Sequence, residues 1–177
     1  TPLGGITSNF TCWKPIIAAI NGYALGGGLE LALTCDIIVA ADHAKLGLPE
    51  PKVGQVAEEG GVHRLPRQIP LKLAMGMILT GKQITAQEAH SIGIVNEVVP
   101  SDKLMSTAER WASEILAGAP QSIKASKQMV MNGIDKPLDV AIGDIYSEYE
   151  KLLTCEDSLD EGPRAFIEKR TPKWTGG

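Results

Sequence analysis

The feature that most constrains this chain is a run of three glycines directly before an apolar helical pattern, in "NGYALGGGLELALTCD" at residues 21–36. Glycine is a poor helix former, so the run adds nothing to local helix stability. It does leave the first backbone N–H groups of a helix unshielded, at the positive end of the helix dipole. The stretch therefore predicts a site for a negatively charged oxygen. Close packing of the backbone is the alternative that needs no ligand.

The flanking segments predict a parallel α/β fold. Residues 14–22 combine a proline, an apolar run and an Asn-Gly turn, which predicts a buried strand. Residues 28–34 are apolar on nearly all sides and predict a buried helix, and residues 36–41 predict a second buried strand. Such a strand, helix and strand form a crossover unit. Residues 44–61 are rich in glycine and proline, which predicts short strand and loop.

The pattern becomes helical after this loop. Residues 71–81 predict a helix, and a second helix begins at Thr85 as N-cap, with Glu88 as its capping-box partner and Gly93 at its C-terminal end. Residues 94–100 predict a last strand.

The remainder of the chain predicts helices alone. Amphipathic patterns cover residues 102–117, 121–132 and 138–153, and the last one continues toward the C-terminus. We therefore predict an α/β core at residues 1–100 and an α-helical oligomerisation region at residues 101–177.

Composition excludes several function classes. The formal net charge is −4 and the lysines and arginines are scattered, so a nucleic-acid partner is not expected. No apolar run approaches the roughly 20 residues that span a bilayer, and the first residues lack a signal-peptide pattern. The histidines have no metal-ligand spacing. We expect no membrane partner, no metal and a cytoplasmic location.

Two glutamates are candidates for proton transfer. Glu30 lies in the apolar helix, where burial would raise its pKa toward neutrality. Glu50 lies in a Pro-Glu-Pro turn, whose stiffness would fix its direction. A phosphate loop is disfavoured because Leu29 and Glu30 follow the glycines where it would have lysine and a hydroxyl residue. Paired carboxylates in different environments can divide acid and base roles.

The segments "KPIIAAINGYALGGGLELALTCDIIVAAD", "LGLPEPKVG", "GGVHRLPR" and "LTGKQITAQEAHSIGIVNEVVP" occur in an order that resembles the enoyl-CoA hydratase/isomerase (crotonase) superfamily. The sequences of these segments are similar to those of enoyl-CoA hydratases and carnitinyl-CoA dehydratases. The resemblance implies an α/β, crotonase-like spiral of β-β-α turns, followed by C-terminal helices that pack subunits into a homotrimer or a hexamer built as a dimer of trimers. It also implies acyl-CoA substrates, with coenzyme A as part of the substrate and no other cofactor.

The resemblance also implies a set of site residues. The N–H of Gly27 would donate to the thioester oxygen in an oxyanion hole, and Glu30 and Glu50 would form the acid/base pair that adds water to a 2-enoyl-CoA. Substrate contacts would come from Ala24, Leu25, Gly26 and Lys169. A solvated Lys169 without a ligand is the alternative for that lysine.

The chain departs from the family pattern in two informative places. Only 13 residues precede Lys14, so we expect a crotonase truncated at its N-terminus, with half of the oxyanion hole. Glu58 and Glu59 stand where many hydratases have small residues. An acid matching Glu58 resembles dienoyl-CoA isomerases, and Glu58 is a possible third site carboxylate; a solvated loop acid is the alternative.

Three functions follow as hypotheses. The first is an acyl-CoA lyase that reversibly hydrates a 2-enoyl-CoA thioester. The second is an enoyl- or dienoyl-CoA double-bond isomerase, and the third is an inactive fragment that only oligomerises or binds coenzyme A.

Overall fold

The computed structural model describes residues 2–176. Its strands are β1 Ile17–Ile20, β2 Tyr23–Leu25, β3 Ile37–Ala41, β4 Lys45–Gly47, β5 Ile84–Thr85 and β6 Glu97–Val99. Its α-helices are α1 Gly27–Ala32, α2 Gly61–Gln68, α3 Leu71–Thr80, α4 Ala86–Ser91, α5 Leu104–Leu116, α6 Pro120–Gly133, α7 Leu138–Gly143, α8 Ser147–Leu152 and α9 Gly162–Glu168.

The described chain divides into two compact units. The first comprises the residues up to Thr11 together with Ile16–Trp111, and the second comprises Cys12–Pro15 and the chain from Ala112 onward. All strands lie in the first unit, so the α/β part of the fold is contained there. No helix among residues 2–176 is long and apolar enough to cross a membrane.

Two small sheets form the framework of the first unit. One has the order β1-β3-β6 with parallel pairing throughout, and the other has the order β2-β4-β5, in which β2 and β4 are parallel and β5 is antiparallel to β4. The crossover predicted around the glycines is confirmed, because β1 and β3 pair in parallel on either side of α1. Each strand of the first sheet is followed or preceded by a strand of the second, which gives repeated β-β-α turns.

The core of the first unit explains why its short helices form. Leu29 and Leu33 of the α1 region are almost fully buried together with Leu46, Leu48 and Leu65. An isolated helix of six residues is unstable in water, so this tertiary packing supplies the stability of α1. The helix is therefore held by its apolar residues although it begins in glycine.

Local sequence signals were accurate at α4. Thr85 is its N-cap, its hydroxyl accepts from the N–H of Glu88, and the Glu88 carboxylate accepts from the N–H of Thr85 in a complete capping box. The predicted glycine at the C-terminal end is also present, since Gly93 has φ 90° one residue after the C-cap Ile92. Helix α3 confirms the prediction for residues 71–81.

One prediction about secondary structure was wrong, and two elements were missed. The single helix predicted from residue 138 to residue 153 and beyond is broken into α7, α8 and α9, with Asp144 in extended conformation between the first two. The break is stabilised by an ion pair between Asp144 and Lys136 and by Tyr146, which is buried and donates its hydroxyl to the carbonyl of Ala141. Helix α2 and strand β2 were not predicted.

Candidate active site

Glu30 is held inside the first unit by its helix and by the start of α2. It lies in the first turn of α1 and is 4% exposed. Its Oε1 accepts a hydrogen bond from the backbone N–H of Gly61 at 2.9 Å. Burial raises the pKa of this carboxyl, the Gly61 N–H works in the opposite direction, and the negative charge of Glu50 raises it further. The net result is a carboxyl that holds its proton to higher pH than a solvated glutamate does.

Glu50 reaches the same place from the 3-10 turn Glu50–Val53 after β4. Its Oε1 lies 2.8 Å from the position that a Cβ atom would occupy on Gly26. Its Oε2 is buried and has no hydrogen-bond partner among the described residues. A buried carboxylate oxygen without a partner is costly, so it is expected where a ligand or a substrate completes the set of hydrogen bonds.

The glycines place the backbone of α1 beside this carboxylate. Gly26 has φ 55° and ψ −124°, a conformation that L side chains rarely adopt, and its N–H donates to the carbonyl of Gly47 at 2.9 Å. Gly27 is the first residue of α1, so its N–H has no carbonyl within the helix to bond. The N–H of Gly27 thus belongs to the set that can serve an external oxygen.

The other predicted substrate residues lie in two places. Ala24 and Leu25 form the end of β2, in register with Leu46 and Gly47 of β4, and lead directly into Gly26. They therefore lead into the glycine that lies beside Glu50. Lys169 belongs to the second unit, where it is exposed and ends α9 with φ 53°.

An open cleft of about 560 Å³ lies beside the loop that precedes α2. It is lined by Thr7, Ser8, Glu58, Glu59, Gly60, His63, Arg64 and Arg67. Glu58 is exposed in this cleft, whereas Glu30 and Glu50 do not line it. Among the described residues, no cluster of His, Cys, Asp and Glu side chains could hold a metal ion.

The contacts of the loop could not be found from the sequence. The bond from Gly61 to Glu30 joins residues 31 positions apart, and the bond from Thr7 to Glu59 joins residues 52 positions apart. The sequence there predicted only short strand and loop, with Glu58 as a possible site carboxylate.

A family model described as enoyl-CoA hydratase/isomerase matches residues 5–177. The chain is 43% identical to a carnitinyl-CoA dehydratase of Salmonella arizonae over 97% of this chain and 67% of that protein. Among solved structures, a protein of Novosphingobium aromaticivorans described as a short chain enoyl-CoA hydratase is 46% identical, with a TM-score of 0.93 over 98% of this chain and 70% of that chain. The enoyl-CoA hydratase of Bacillus anthracis is 40% identical, with a TM-score of 0.89 over 97% of this chain and 65% of that chain. The chain thus spans about two thirds of the length of these relatives.

Proposed function

The chain belongs to the enoyl-CoA hydratase/isomerase family, and on that premise we propose that the complete protein catalyses the reversible hydration of a 2-enoyl-CoA thioester. The family is one of enzymes, and the crotonase-like fold predicted from the sequence is confirmed by the structural similarity to enoyl-CoA hydratases. Hydration and dehydration are the two directions of one reaction, so the similarity to carnitinyl-CoA dehydratases supports the same chemistry.

The observation that carries the proposal is the meeting of two carboxylates at the start of α1. Glu30 is buried with a raised pKa, and the negative charge of Glu50 contributes to that shift, so the two groups interact electrostatically. Glu50 presents a buried oxygen that lacks a partner within residues 2–176. Two carboxyl groups in different environments, one of them with a raised pKa, can divide the acid and base roles that adding water to a polarised double bond requires.

In this reaction the Gly27 N–H and the two glutamates have different roles. The N–H of Gly27 donates to the thioester oxygen as it gains negative charge, which stabilises the enolate. One of the two glutamates takes a proton from water as its oxygen attacks C3, and the other supplies the proton that C2 gains. Ala24, Leu25 and Gly26 adjoin the thioester, and coenzyme A enters only as part of the substrate, with no other cofactor.

The proposal is tested by hydration of crotonyl-CoA in H₂¹⁸O with the full-length protein. Loss of the enoyl-thioester absorbance together with ¹⁸O in the product is the expected result. A double-bond shift without label incorporation would favour the isomerase, for which Glu58 at the cleft is the candidate third acid. No reaction with a range of enoyl-CoA chain lengths would contradict both enzymatic proposals.

A further inference from the structure

The loop at residues 58–61 contacts the carboxylate of Glu30. The N–H of Gly61 donates to Glu30 Oε1, and a Cβ atom on Gly61 would lie 3.1 Å from both Cγ and Oε1 of Glu30 and 2.9 Å from the Cβ of Ala57. The start of α2 is thus packed so closely against Glu30 that residue 61 has no room for a side chain. A small displacement of this loop would move the hydrogen bond that orients the carboxylate.

The side chain of Glu59 ties this loop to the segment of residues 3–7. Its Oε2 accepts from the hydroxyl of Thr7 at 2.6 Å and from the N–H of Leu3 at 3.2 Å. Thr7 is buried and Glu59 is half-buried at the open cleft, so this contact is partly shielded from water. A hydrogen bond to an ionised carboxylate in such a place is stronger than one between neutral groups.

Arg64 also joins the loop at residues 58–61 to Thr7. One of its guanidinium nitrogens donates to the carbonyl of Glu59 at 3.1 Å and another donates to the carbonyl of Thr7 at 2.6 Å. Its guanidinium also covers Gly60, where a Cβ atom would lie 1.9 Å from Nη1. Gly60 has φ 114°, so the turn is fixed both by its backbone conformation and by the arginine above it.

The segment of residues 3–7 also contacts α1. A Cβ atom on Gly27 would lie 2.4 Å from Cδ2 of Leu3, and one on Gly4 would lie 2.6 Å from Cδ2 of Leu31. Residues 3–7 therefore touch both the loop that orients Glu30 and the helix that carries it.

We propose that Glu59 is a positioning residue for the reaction: by holding Thr7 and the N–H of Leu3 it fixes the turn at Gly60 and Gly61, so that the Gly61 N–H holds one oxygen of Glu30 and leaves the other for the substrate. This inference rests on the proposed function of Glu30. The charge of Glu59 acts on the same group: the negative charges of Glu50 and Glu59 raise the pKa of Glu30, whereas a backbone hydrogen bond from Glu59 lowers it.

The test compares substitutions of Glu59 in the full-length protein. In Glu59→Gln the amide oxygen still accepts from Thr7, whereas Glu59→Ala removes the acceptor. We expect Glu59→Ala to lower kcat roughly 10- to 100-fold with little change in KM, and Glu59→Gln to recover most of kcat. Asp102→Asn, which removes an exposed carboxylate paired with Lys103, is the matched control and keeps wild-type kcat.

The pH profile supplies a readout that a purely structural role would not move. The charged groups around the Glu30 carboxyl are Glu50, Glu59 and, across the Glu59 carbonyl, Arg64. Because the negative charge of Glu59 raises the pKa of Glu30, Glu59→Gln moves the corresponding limb of the kcat/KM profile to lower pH, and Asp102→Asn leaves it in place. Wild-type kcat and an unmoved profile in both Glu59 variants would overturn the inference.

A structural readout keeps the inference separate from the proposed function. Amide hydrogen exchange at Gly61 and the carboxyl ¹³C resonance of Glu30 report the contact whether or not the protein hydrates crotonyl-CoA. We expect faster exchange at Gly61 and a changed Glu30 titration in Glu59→Ala. Unchanged values would overturn the positioning role, whereas an inactive wild type with the expected changes would overturn only the hydratase proposal.

Discussion

Glu30 and Glu50 reach the start of α1 with different surroundings. Glu30 has one oxygen held by a backbone N–H in a buried position, and Glu50 has a buried oxygen that no described residue satisfies. Such a difference is what allows two groups of the same chemical type to act as acid and base. Because the carboxyl of Glu30 is buried, its ionisation lowers the free energy of unfolding.

The first prediction concerns Glu30→Gln. The amide oxygen of glutamine still accepts from Gly61, but the side chain cannot transfer a proton, so we expect hydration to fall about 10²- to 10⁴-fold. The raised folded pKa of Glu30 means that its protonated form stabilises the protein below the reference value of 4.5 and that this stabilisation is lost as the pH rises through the folded pKa.

Urea unfolding at a series of pH values checks the second part of this prediction. Stability of Glu30→Gln relative to wild type should increase as the pH rises above 4.5. A relative stability that falls with rising pH would mean that burial does not control this carboxyl.

The second prediction concerns Gly26→Ala. The new Cβ atom would lie 2.8 Å from Glu50 Oε1, and the backbone at φ 55° would be strained. We expect a loss of about 1–3 kcal/mol in the free energy of unfolding together with a large loss of kcat. Gly93→Ala is the control, because Gly93 also has positive φ but a Cβ atom there meets nothing within 4 Å. Equal loss of activity in the two variants would show that strain alone, and not contact with Glu50, is responsible.

At the scale of elements, the sequence predicted what local signals specify. β1, α1, β3, α3 and the capped start of α4 follow from apolar runs and turn residues close together in the chain. β2 has only three residues and ends at Leu25, directly before the glycines. α2 has Gly60 as its N-cap, begins at Gly61 and contains Pro66. Neither segment therefore has a local sequence pattern strong enough to predict a strand or a helix. Their positions are set by pairing with β4 and by burial of Leu65.

The third prediction tests the capping box of α4. Thr85→Ala removes the acceptor for the Glu88 N–H and should lower the free energy of unfolding by about 1 kcal/mol. Hydrogen bonds from the backbone N–H and the hydroxyl of Thr85 lower the pKa of Glu88. The contribution of Glu88 is therefore present above its unfolded value near 4.5 and is lost as the pH falls through its folded pKa.

Denaturant unfolding of both proteins at neutral and acidic pH checks this prediction. The difference between wild type and Thr85→Ala should shrink in acid. A difference that is constant over the whole pH range would mean that the hydrogen bond from the Thr85 hydroxyl to the Glu88 carboxylate contributes nothing.

The fourth prediction concerns the C-terminal segment of the second unit. Glu161 accepts two hydrogen bonds from Arg170, which with the Lys173 N–H lower its pKa to about 2. Asp157 accepts from the N–H groups of Thr175 and Gly176. Because the pKa of Glu161 is lower in the folded protein than in the unfolded chain, its ionised carboxylate stabilises the fold above pH 4.5. The hydrogen bonds that hold the C-terminal segment to Glu161 should therefore weaken as the pH falls from 4.5 to about 2.

Amide hydrogen exchange measures directly how firmly the C-terminal segment is held to Glu161. Protection of the Lys173 amide should fall over that pH interval, and Glu161→Gln should reduce it already at neutral pH. Lys103→Gln, which breaks an exposed pair with Asp102, is the control and should leave the protection unchanged. Full protection in Glu161→Gln would show that Arg170 and Glu161 do not hold this segment.

At the scale of the whole molecule, the second unit leaves many large apolar side chains in contact with water. Leu138, Ile142 and Ile145 are each at least 74% exposed, and Phe166 is 86% exposed. Apolar surface of this extent is typical of subunit contacts. We therefore propose a homotrimer or a hexamer, as the resemblance to the family implied.

The fifth prediction follows from that surface. Ile142→Glu places a charge where a subunit contact would exclude water, so it should reduce the mass measured by light scattering to that of smaller species. Ser106→Glu adds the same charge at an exposed polar position of α5 and should leave the mass unchanged. An Ile142→Glu protein of unchanged mass would exclude α7 from the contact.

The site itself was predictable only as far as motifs reach. Glu30 was predicted as a site residue from its apolar helix and Glu50 from its Pro-Glu-Pro turn, whereas Gly27 was predicted from the resemblance to the family. Their roles are proposals. The bonds from Gly61 to Glu30 and from Thr7 to Glu59 depend on how distant segments fold together, and no local pattern encodes them.

The measurement that tests the central claim most directly is hydration of crotonyl-CoA in H₂¹⁸O by full-length wild type, Glu30→Gln and Glu50→Gln. We predict ¹⁸O in the product of the wild type and a loss of about 10²- to 10⁴-fold in each variant, with folding unchanged by circular dichroism. Near-wild-type hydration in either variant would contradict the two-glutamate account.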